Sequence, residues 1–174
     1  DAQSPYAASK AAADRLCKDY VDTFGSKVVI LRNFNIFGEG QADDSYGGVI
    51  AKFTKAALEG RPLHVYGDGL QERDYMHIDD AVRMYDLCLG IEEFGRPINM
   101  GTGQTVRIGD LAHLIVEYAE SNSSIENVEP RKGEVRRLCA DITKAKSLGL
   151  YPETDLERDL KRYVDWYKQY QLGI

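Results

Sequence analysis

The chain has 174 residues, 43% of them apolar, and a formal net charge of -6 with a pI near 5.1. This length suffices for one globular unit, and the acidic balance argues against duplex DNA or an anionic membrane surface as the partner. The mean hydropathy of -0.42, with no long apolar run and no opening signal peptide, also argues against a membrane protein or a secreted one.

The first predicted element is a helix with clear end signals. Ser4 is a good N-cap and Pro5 suits the first helical position, while Gly25 is typical of a C-terminal stop. We therefore predict a helix over Tyr6–Phe24. The β-branched run over 27–32 (KVVILR) then predicts a buried strand.

Short strands and helices alternate along the rest of the chain. The predictions are a loop over 33–48, a helix over 49–59, strands over 63–66 and 73–77, a helix over 79–89, a strand over 97–100, a helix over 108–120, an irregular stretch over 121–135 and a last helix that contains Leu156, Leu160, Tyr163, Val164 and Tyr167. This order predicts an α/β fold. The strands are too few for a complete doubly wound sheet, so we expect the chain to be part of a longer protein.

Polar residues give further end signals. Asp79 and Asp80 are interpreted as helix caps rather than as catalytic acids, and Thr154-x-x-Glu157 predicts a capping box. The aromatic residues Tyr163, Trp166, Tyr167 and Tyr170 follow helical spacing, which favours core packing over an aromatic ligand site.

Cysteine and histidine usage predicts neither a disulfide framework nor a metal site. Cys17, Cys88 and Cys139 are odd in number and far apart, as in a reducing compartment. The histidines show no metal-ligand spacing with them. We therefore predict a cytoplasmic protein without a bound metal.

Tyr6 and Lys10 are the first candidates for chemistry. They lie four positions apart on one predicted helix and so share a face. A phenol is a poor base at neutral pH, and a nearby ammonium group favours the phenolate. Such a pair can take a proton from a sugar hydroxyl. The spacing alone is weak evidence, because an ordinary surface Tyr and Lys would match it.

The context of this pair resembles a known family. The segments that carry the resemblance, in order, are Ser4–Asp14 (SPYAASKAAAD), Leu31–Gly38 (LRNFNIFG), Pro62–Gly69 (PLHVYGDG), Gln71–Asp80 (QERDYMHIDD), Asn99–Gly103 (NMGTG) and Arg131–Val135 (RKGEV). Together they resemble the extended short-chain dehydrogenases/reductases, the NAD-dependent epimerases and dehydratases, and within them the UDP-glucose 4-epimerases. Six matches in one order are far more specific than any one of them.

The resemblance implies a fold and a division of the chain. It implies the C-terminal portion of a Rossmann-like NAD(P)-binding fold with a smaller substrate-binding subdomain. Residues 1–35 would complete the Rossmann-like domain, and 36–174 would form mainly the sugar-nucleotide subdomain, with about 73–103 returning to the Rossmann sheet. The family's Gly-rich cofactor loop and catalytic Ser or Thr are not found in this sequence. We therefore expect the chain alone to be inactive, and the apolar flank of the 27–32 strand to be exposed.

The resemblance also implies roles for individual residues. Tyr6 and Lys10 would be catalytic and would contact NAD together with Asn33 and Phe34. The substrate-binding residues would be Asn35, Val49, Leu63, Tyr66, Arg73 and Arg131. Among these, Arg73 and Arg131 would clamp the diphosphate of a UDP-sugar, because guanidinium groups match phosphate oxygens in pairs.

Simpler interpretations remain open for several of these side chains. Arg73 and Arg131 could be solubilising surface residues, and Asn35 could cap its loop. Tyr66 could be a core aromatic, because alternate strand residues face opposite ways. His64 is predicted at the rim of the site rather than as a catalytic group.

The predicted parent activity is NAD-dependent UDP-hexose 4-epimerisation in a homodimer. A 4,6-dehydratase or a UDP-glucuronate decarboxylase of the same family is the first alternative. An alternative of another class is a non-catalytic module that binds UDP-sugars but not NAD. A third is an artificial fragment of a longer protein, with no function of its own.

Overall fold

The computed structural model describes residues 4–44, 47–131 and 133–172. Helix α1 spans Pro5–Phe24, and the Ser4 side chain caps it by accepting a hydrogen bond from the Ala7 backbone N–H at 3.1 Å. Gly25 ends the helix in the left-handed conformation, with φ of 64°. Both predicted end signals of α1 are thus confirmed.

The remaining elements alternate as the sequence predicts. In chain order they are β1 (Leu31–Asn33), β2 (Asn35–Phe37), α2 (Val49–Leu58), β3 (Leu63–Tyr66), β4 (Glu72–Arg73), β5 (Tyr75–His77), α3 (Ile78–Cys88), β6 (Ile98–Met100), β7 (Val106–Arg107), α4 (Ile108–Tyr118), β8 (Ile125–Val128), β9 (Arg137–Leu138), α5 (Thr143–Ser147) and α6 (Leu156–Tyr167). The backbone of α6 continues as a π-helical segment over Lys168–Leu172. The fold is α/β, as predicted.

Strand pairing is mainly parallel. The pairs β1–β6, β2–β5 and β3–β8 are all parallel, and β4 lies between β9, which is parallel to it, and β7, which is antiparallel. Parallel partners must be joined by crossovers, here through helices. Mainly parallel pairing is what the predicted Rossmann-like fold requires.

Several strand predictions are wrong in detail. The predicted loop over 33–48 contains β2, and the predicted irregular stretch over 121–135 contains β8. The strand predicted over 27–32 pairs only from Leu31 onward, with an isolated bridge between Val29 and Phe94. These short strands are fixed by distant partners, and local sequence does not reveal such partners.

The strand predicted over 73–77 is divided at Asp74. Its first part pairs in the β7–β4–β9 sheet and its second part pairs with β2. The chain therefore changes sheets at Asp74, between Arg73 and Tyr75. This places two predicted binding segments, β2 and β4, on either side of one buried carboxylate.

Buried apolar side chains form two clusters. The larger one joins α2, β3, α4 and α6 and includes Phe37, Leu111, Tyr163 and Tyr167. The smaller one joins α3, β6 and α5 and includes Met76, Met84 and Leu150. The predicted core face of α6 is confirmed, since Leu160, Tyr163, Val164 and Tyr167 are all buried.

Two end signals of the helices are wrong. Asp155, not Thr154, caps α6 by accepting from the Arg158 N–H at 3.0 Å. His77, not an aspartate, caps α3 by accepting from the Asp79 N–H at 3.1 Å. The Thr154 hydroxyl instead donates to the Asp80 carboxylate at 2.6 Å. The tertiary contact outweighs the local capping pattern.

Among the described residues, none of the helices combines the length and apolar character that crossing a bilayer requires. The division of the chain at residue 35 stays a prediction. Lys132 in the Arg131–Val135 segment, and positions 45 and 46 in the predicted loop, lie outside the described residues.

Candidate active site

One cavity of about 930 Å³ contains all the residues predicted to bind substrate. Its lining includes Asn35, Val49, Leu63, Tyr66, Arg73 and Arg131. They come from β2, α2, β3, β4 and the segment after β8. The fold therefore brings together side chains spread over almost one hundred positions of the sequence. This volume suits a small organic ligand.

Arg73 is a half-buried cation on the cavity wall. Its guanidinium group donates to the Glu72 and Val135 carbonyl oxygens at 2.8 and 2.7 Å and to Glu134 Oε1 at 3.3 Å. The side chain is only 15% exposed. This burial and these contacts contradict the interpretation of Arg73 as a solubilising surface residue, and Arg73 lines the cavity.

Arg131 lies flat against an aromatic ring. Its Cζ atom is 3.8 Å from the ring centroid of Tyr66, as in a cation–π pair. A hydrogen bond from Arg131 and its positive charge lower the pKa of Tyr66 below the ordinary value. Tyr66 is partly exposed, whereas Leu63 and Val65 on the same strand are buried. The interpretation of Tyr66 as a core aromatic is therefore wrong.

Asn35 is held by the backbone of Asp74. Its Nδ2 donates to the Asp74 carbonyl oxygen at 2.7 Å. The Asp74 carboxylate is itself fully buried and accepts from the Thr102 N–H and hydroxyl at 2.9 and 2.7 Å, from the Gly103 N–H at 2.9 Å and from the Ala140 N–H at 3.1 Å. Asp74 thus fixes Asn35 on one side and Arg73 on the other.

The predicted catalytic pair lies on α1, outside the cavity lining. The Nζ atom of Lys10 is 5.5 Å from the ring centroid of Tyr6, so the two side chains share one face as predicted. Tyr6 is 72% exposed. A salt bridge from Arg32 Nε to Asp14 Oδ2, at 2.6 Å, connects α1 to β1. Because Tyr6 is exposed, its phenol is accessible to a ligand.

The two predicted cofactor residues on the strand after α1 differ in environment. Asn33, at the end of β1, is exposed and its Nδ2 donates to the Tyr85 hydroxyl. Phe34 packs against the smaller buried cluster, and its N–H donates to the Met100 carbonyl oxygen at 2.9 Å. Neither residue lines the cavity. Asn33 is exposed to solvent, whereas Phe34 is half-buried.

Comparison with protein families identifies this arrangement. Residues 1–101 match the model of the NAD dependent epimerase/dehydratase family. The chain belongs to this family. The match includes Tyr6, Lys10 and Arg73, and it ends just after β6.

Curated members of the epimerase/dehydratase family differ in the reaction they are named for. The chain is 34% identical over 165 residues to a putative UDP-glucose 4-epimerase of Methanocaldococcus jannaschii, covering 95% of the chain and 53% of that protein. It is 35% identical over 170 residues to a dTDP-glucose 4,6-dehydratase of Streptomyces griseus, covering 97% of the chain and 51% of that protein. The chain thus spans about half the length of the curated relatives it matches.

Solved structures of family members share the fold. A Thermotoga maritima UDP-glucose 4-epimerase with UDP-glucose superposes with a TM-score of 0.91 at 32% identity, over 96% of this chain and 54% of that one. A Bacillus cereus UDP-glucuronic acid 4-epimerase in complex with UDP-glucuronic acid and NAD gives 0.88 at 31% identity, over 95% of this chain and 53% of that one. The Rossmann-like assignment of the chain follows from this similarity.

Several cavity residues of this epimerase/dehydratase chain were not predicted. The polar ones among them are Gln41, Asp43, Asp44, Lys52, Lys55, Arg61, Gln71 and Glu134. Glu134 belongs to a segment that carries the family resemblance, but the sequence analysis assigns it no role. Lys52 and Lys55 lie three positions apart on α2, and this spacing was the available signal for a shared face. Gln41 follows β2, where only the three-dimensional path of the chain shows that it reaches the cavity.

Proposed function

We propose that the chain is the nucleotide-sugar-binding portion of an NAD-dependent UDP-hexose 4-epimerase. The observation that carries this proposal is the single cavity into which Asn35, Tyr66, Arg73 and Arg131 converge. Two guanidinium groups on one wall match the charge and geometry of a diphosphate. The cavity also offers the partly exposed Tyr66 ring to a base, with the buried Leu63 on the same strand behind it.

The residues present fit one edge of NAD. Tyr6 and Lys10 are both exposed on the same face of α1, and Asn33 is exposed on β1. In the proposal these side chains, with Phe34, hold the nicotinamide riboside portion. Bound NAD supplies a hydride acceptor that later returns the hydride. We also propose a cytoplasmic homodimer for the whole protein.

Tyr6 moves the proton in the proposed reaction. As a phenolate it would take the proton of the sugar C4 hydroxyl when the sugar is oxidised to its 4-keto form. The 4-keto sugar rotates in the cavity while Arg73 and Arg131 hold the diphosphate. Tyr6 would then return its proton to the C4 oxygen when the 4-keto sugar is reduced to the epimer. Lys10 stabilises the phenolate by its positive charge.

The test uses the whole protein that contains the chain and the variant Tyr6→Phe. We expect conversion of UDP-glucose to UDP-galactose to fall by about 10²- to 10⁴-fold, because a general acid–base group is lost, while UDP binding measured by calorimetry stays unchanged. Turnover equal to that of the wild type would rule out Tyr6 as the base. Tyr20→Phe, which removes the hydroxyl of another exposed tyrosine on the same helix, serves as the matched control.

Product mass separates the proposed epimerase from its alternatives. An epimerase leaves the mass of the nucleotide sugar unchanged, a 4,6-dehydratase lowers it by one water, and a decarboxylase acting on a uronic acid lowers it by carbon dioxide. The dehydratase is the better supported alternative, since a dTDP-glucose 4,6-dehydratase is as similar to this chain as the epimerase is. Titrating UDP and NAD separately tests the non-catalytic module, which would bind only UDP.

A further inference from the structure

One wall of the cavity is an irregular segment, Gly38–Asp44, that follows β2. Gln41, Asp43 and Asp44 of this segment line the cavity. Gly38 and Gly40 have positive φ angles of 146° and 83°. A segment with such glycines loses much backbone entropy when it is held in one conformation. Contacts from outside the segment must therefore fix the position of this wall.

Helix α6 supplies contacts at both ends of the segment. Near the first end, Arg162 Nε donates to Glu39 Oε1 at 2.9 Å, and the buried His77 places Nε2 3.1 Å from Glu39 Oε2. Near the second end, the Tyr167 hydroxyl donates to Asp43 Oδ2. Neither Arg162 nor Tyr167 lines the cavity, so their polar contacts with Glu39 and Asp43 reach it through the segment.

The contact between Tyr167 and Asp43 combines burial with charge. Tyr167 is 1% exposed, and its ring packs edge-on against Tyr163 with centroids 6.2 Å apart. Lys55 Nζ also donates to Asp43 Oδ2, at 2.9 Å. The hydrogen bond from Tyr167 and then that from Lys55 lower the pKa of Asp43 below its ordinary value. A carboxylate held by a rigid buried phenol keeps the adjoining backbone in place.

We propose that Tyr167 is a positioning residue for nucleotide-sugar binding, because its hydroxyl holds Asp43 and with it the Gly38–Asp44 wall of the cavity. The C-terminal helix thereby determines the shape of a site that it does not touch. This inference rests on the proposed function of the cavity. Lys55 shares the contact but also lines the cavity itself, so Tyr167 is the side chain that isolates the positioning effect.

The experiment compares Tyr167→Phe with Tyr170→Phe in the same chain. Tyr170 is 69% exposed and stacks on Trp166 one turn further along, so its loss of a hydroxyl is a matched control. We expect Tyr167→Phe to weaken UDP binding by about threefold to tenfold, a part of the effect of one charged hydrogen bond. We expect amide hydrogen exchange to rise within Gly38–Asp44, and Tyr170→Phe to change neither quantity.

A double-mutant cycle with Asp43→Asn shows whether Tyr167 acts through Asp43. If it does, Tyr167→Phe changes UDP affinity much less when Asp43 is already Asn. Additive effects of the two substitutions, or wild-type affinity in Tyr167→Phe, would overturn the proposal. If the unaltered chain does not bind UDP, the proposed function fails. In that case amide hydrogen exchange still tests the positioning role by itself. If exchange within Gly38–Asp44 is the same in Tyr167→Phe as in the unaltered chain, the positioning role is rejected.

Discussion

Arg131 provides an exposed positive charge on the cavity wall. Its Cζ atom lies 3.8 Å from the ring centroid of Tyr66, and such stacking leaves the edge of a guanidinium group available to phosphate oxygens. Arg136, five positions later, donates to Asp68 Oδ1 at 2.7 Å and does not line the cavity. The two arginines are thus a natural pair for comparison.

We predict that Arg131→Ala weakens UDP binding by about 10- to 100-fold, because a charge-assisted hydrogen bond to phosphate is lost. Arg136→Ala should leave the affinity within about twofold, since its guanidinium group faces Asp68. Isothermal titration of UDP into each variant provides the measurement. Equal losses in both variants would show that general charge, not a specific contact, attracts the ligand.

The buried carboxylate of Asp80 connects α3 to the segment before α6. It accepts from the Glu153 and Thr154 N–H groups, both at 2.7 Å, and from Arg83 Nη2 at 2.6 Å. Burial alone would raise the pKa of Asp80, but the hydrogen bonds, that of Thr154 first, bring it below the ordinary value of 3.8. The ionised form is therefore favoured by folding.

Asp80 should make the stability of the fold sensitive to acid. Because its pKa is lower in the folded state, its contribution is present above pH about 4 and is lost as the pH falls through the folded pKa. Asp80→Asn should cost about 2 to 4 kcal/mol at pH 7 and less at pH 3. Urea unfolding at both values tests this, with exposed Asp86→Asn as control. A cost that does not change with pH would contradict it.

At the scale of elements, β2 meets the start of α3 at Gly38. A Cβ atom at Gly38 would lie 2.4 Å from Ile78 Cγ2 and 3.0 Å from His77 Nε2, and the φ of 146° already disfavours other residues. The close approach is needed because β5, which pairs with β2, leads directly into α3. Gly90, after α3, has only the Leu87 carbonyl oxygen within 4 Å of such an atom, at 3.7 Å.

Gly38→Ala should therefore lower the free energy of unfolding by about 2 to 4 kcal/mol, because the two elements must separate. Gly90→Ala should change it by about 0.5 kcal/mol or less. Chemical denaturation followed by circular dichroism measures both. If Gly38→Ala unfolds like the wild type, the close packing of β2 against α3 is not required.

Element ends show where sequence suffices and where it does not. Ser4 and Gly25 define α1 because capping depends on neighbours within one turn. In contrast, β8 exists because Ile125–Val128 pairs with Leu63–Tyr66, about sixty positions earlier. Nothing local marks it as a strand. Similarly, the sequence around Thr154 resembles a capping box, but in the structure its hydroxyl donates to Asp80 of α3.

The candidate site was predictable to the extent that the family resemblance extends. The substrate residues that it implied all line one cavity. Gln41 and Lys55 were missed because their position depends on how the Gly38–Asp44 segment and α2 pack together. The spacing of Lys52 and Lys55 on α2 marks a shared helix face but not what that face meets. Tertiary packing, not local chemistry, brings them to the cavity.

Across the whole molecule, large apolar side chains are exposed on two helices. On α1 they are Leu16, Tyr20 and Phe24, and at α3 they are Val82, Tyr85, Leu87 and Leu89. The expectation of an exposed flank on the 27–32 strand is wrong, because Val28 and Val29 are half-buried and Ile30 is buried. Exposed apolar surface of this kind favours association.

We predict that the purified chain associates as its concentration rises, and that Leu16→Lys together with Leu89→Lys weakens this association about tenfold or more. Burying a leucine side chain contributes about 1.5 to 3 kcal/mol, and the lysine forfeits that gain. Sedimentation velocity is the measurement, and Leu70→Lys, at an exposed turn leucine on neither helix, is the control. A chain that stays monomeric at all concentrations would contradict the prediction.

The Asp74 carboxylate has a consequence for the order of folding events. It binds segments that lie 28 and 66 residues further along the chain, at Thr102 and Ala140. Contacts of such long range require large loops to close first, and so they form late. During synthesis Arg73 and Asn35 reach their final geometry only after residue 140 has been made and has docked. Ligand affinity should therefore appear in one late step, when the chain closes around Asp74.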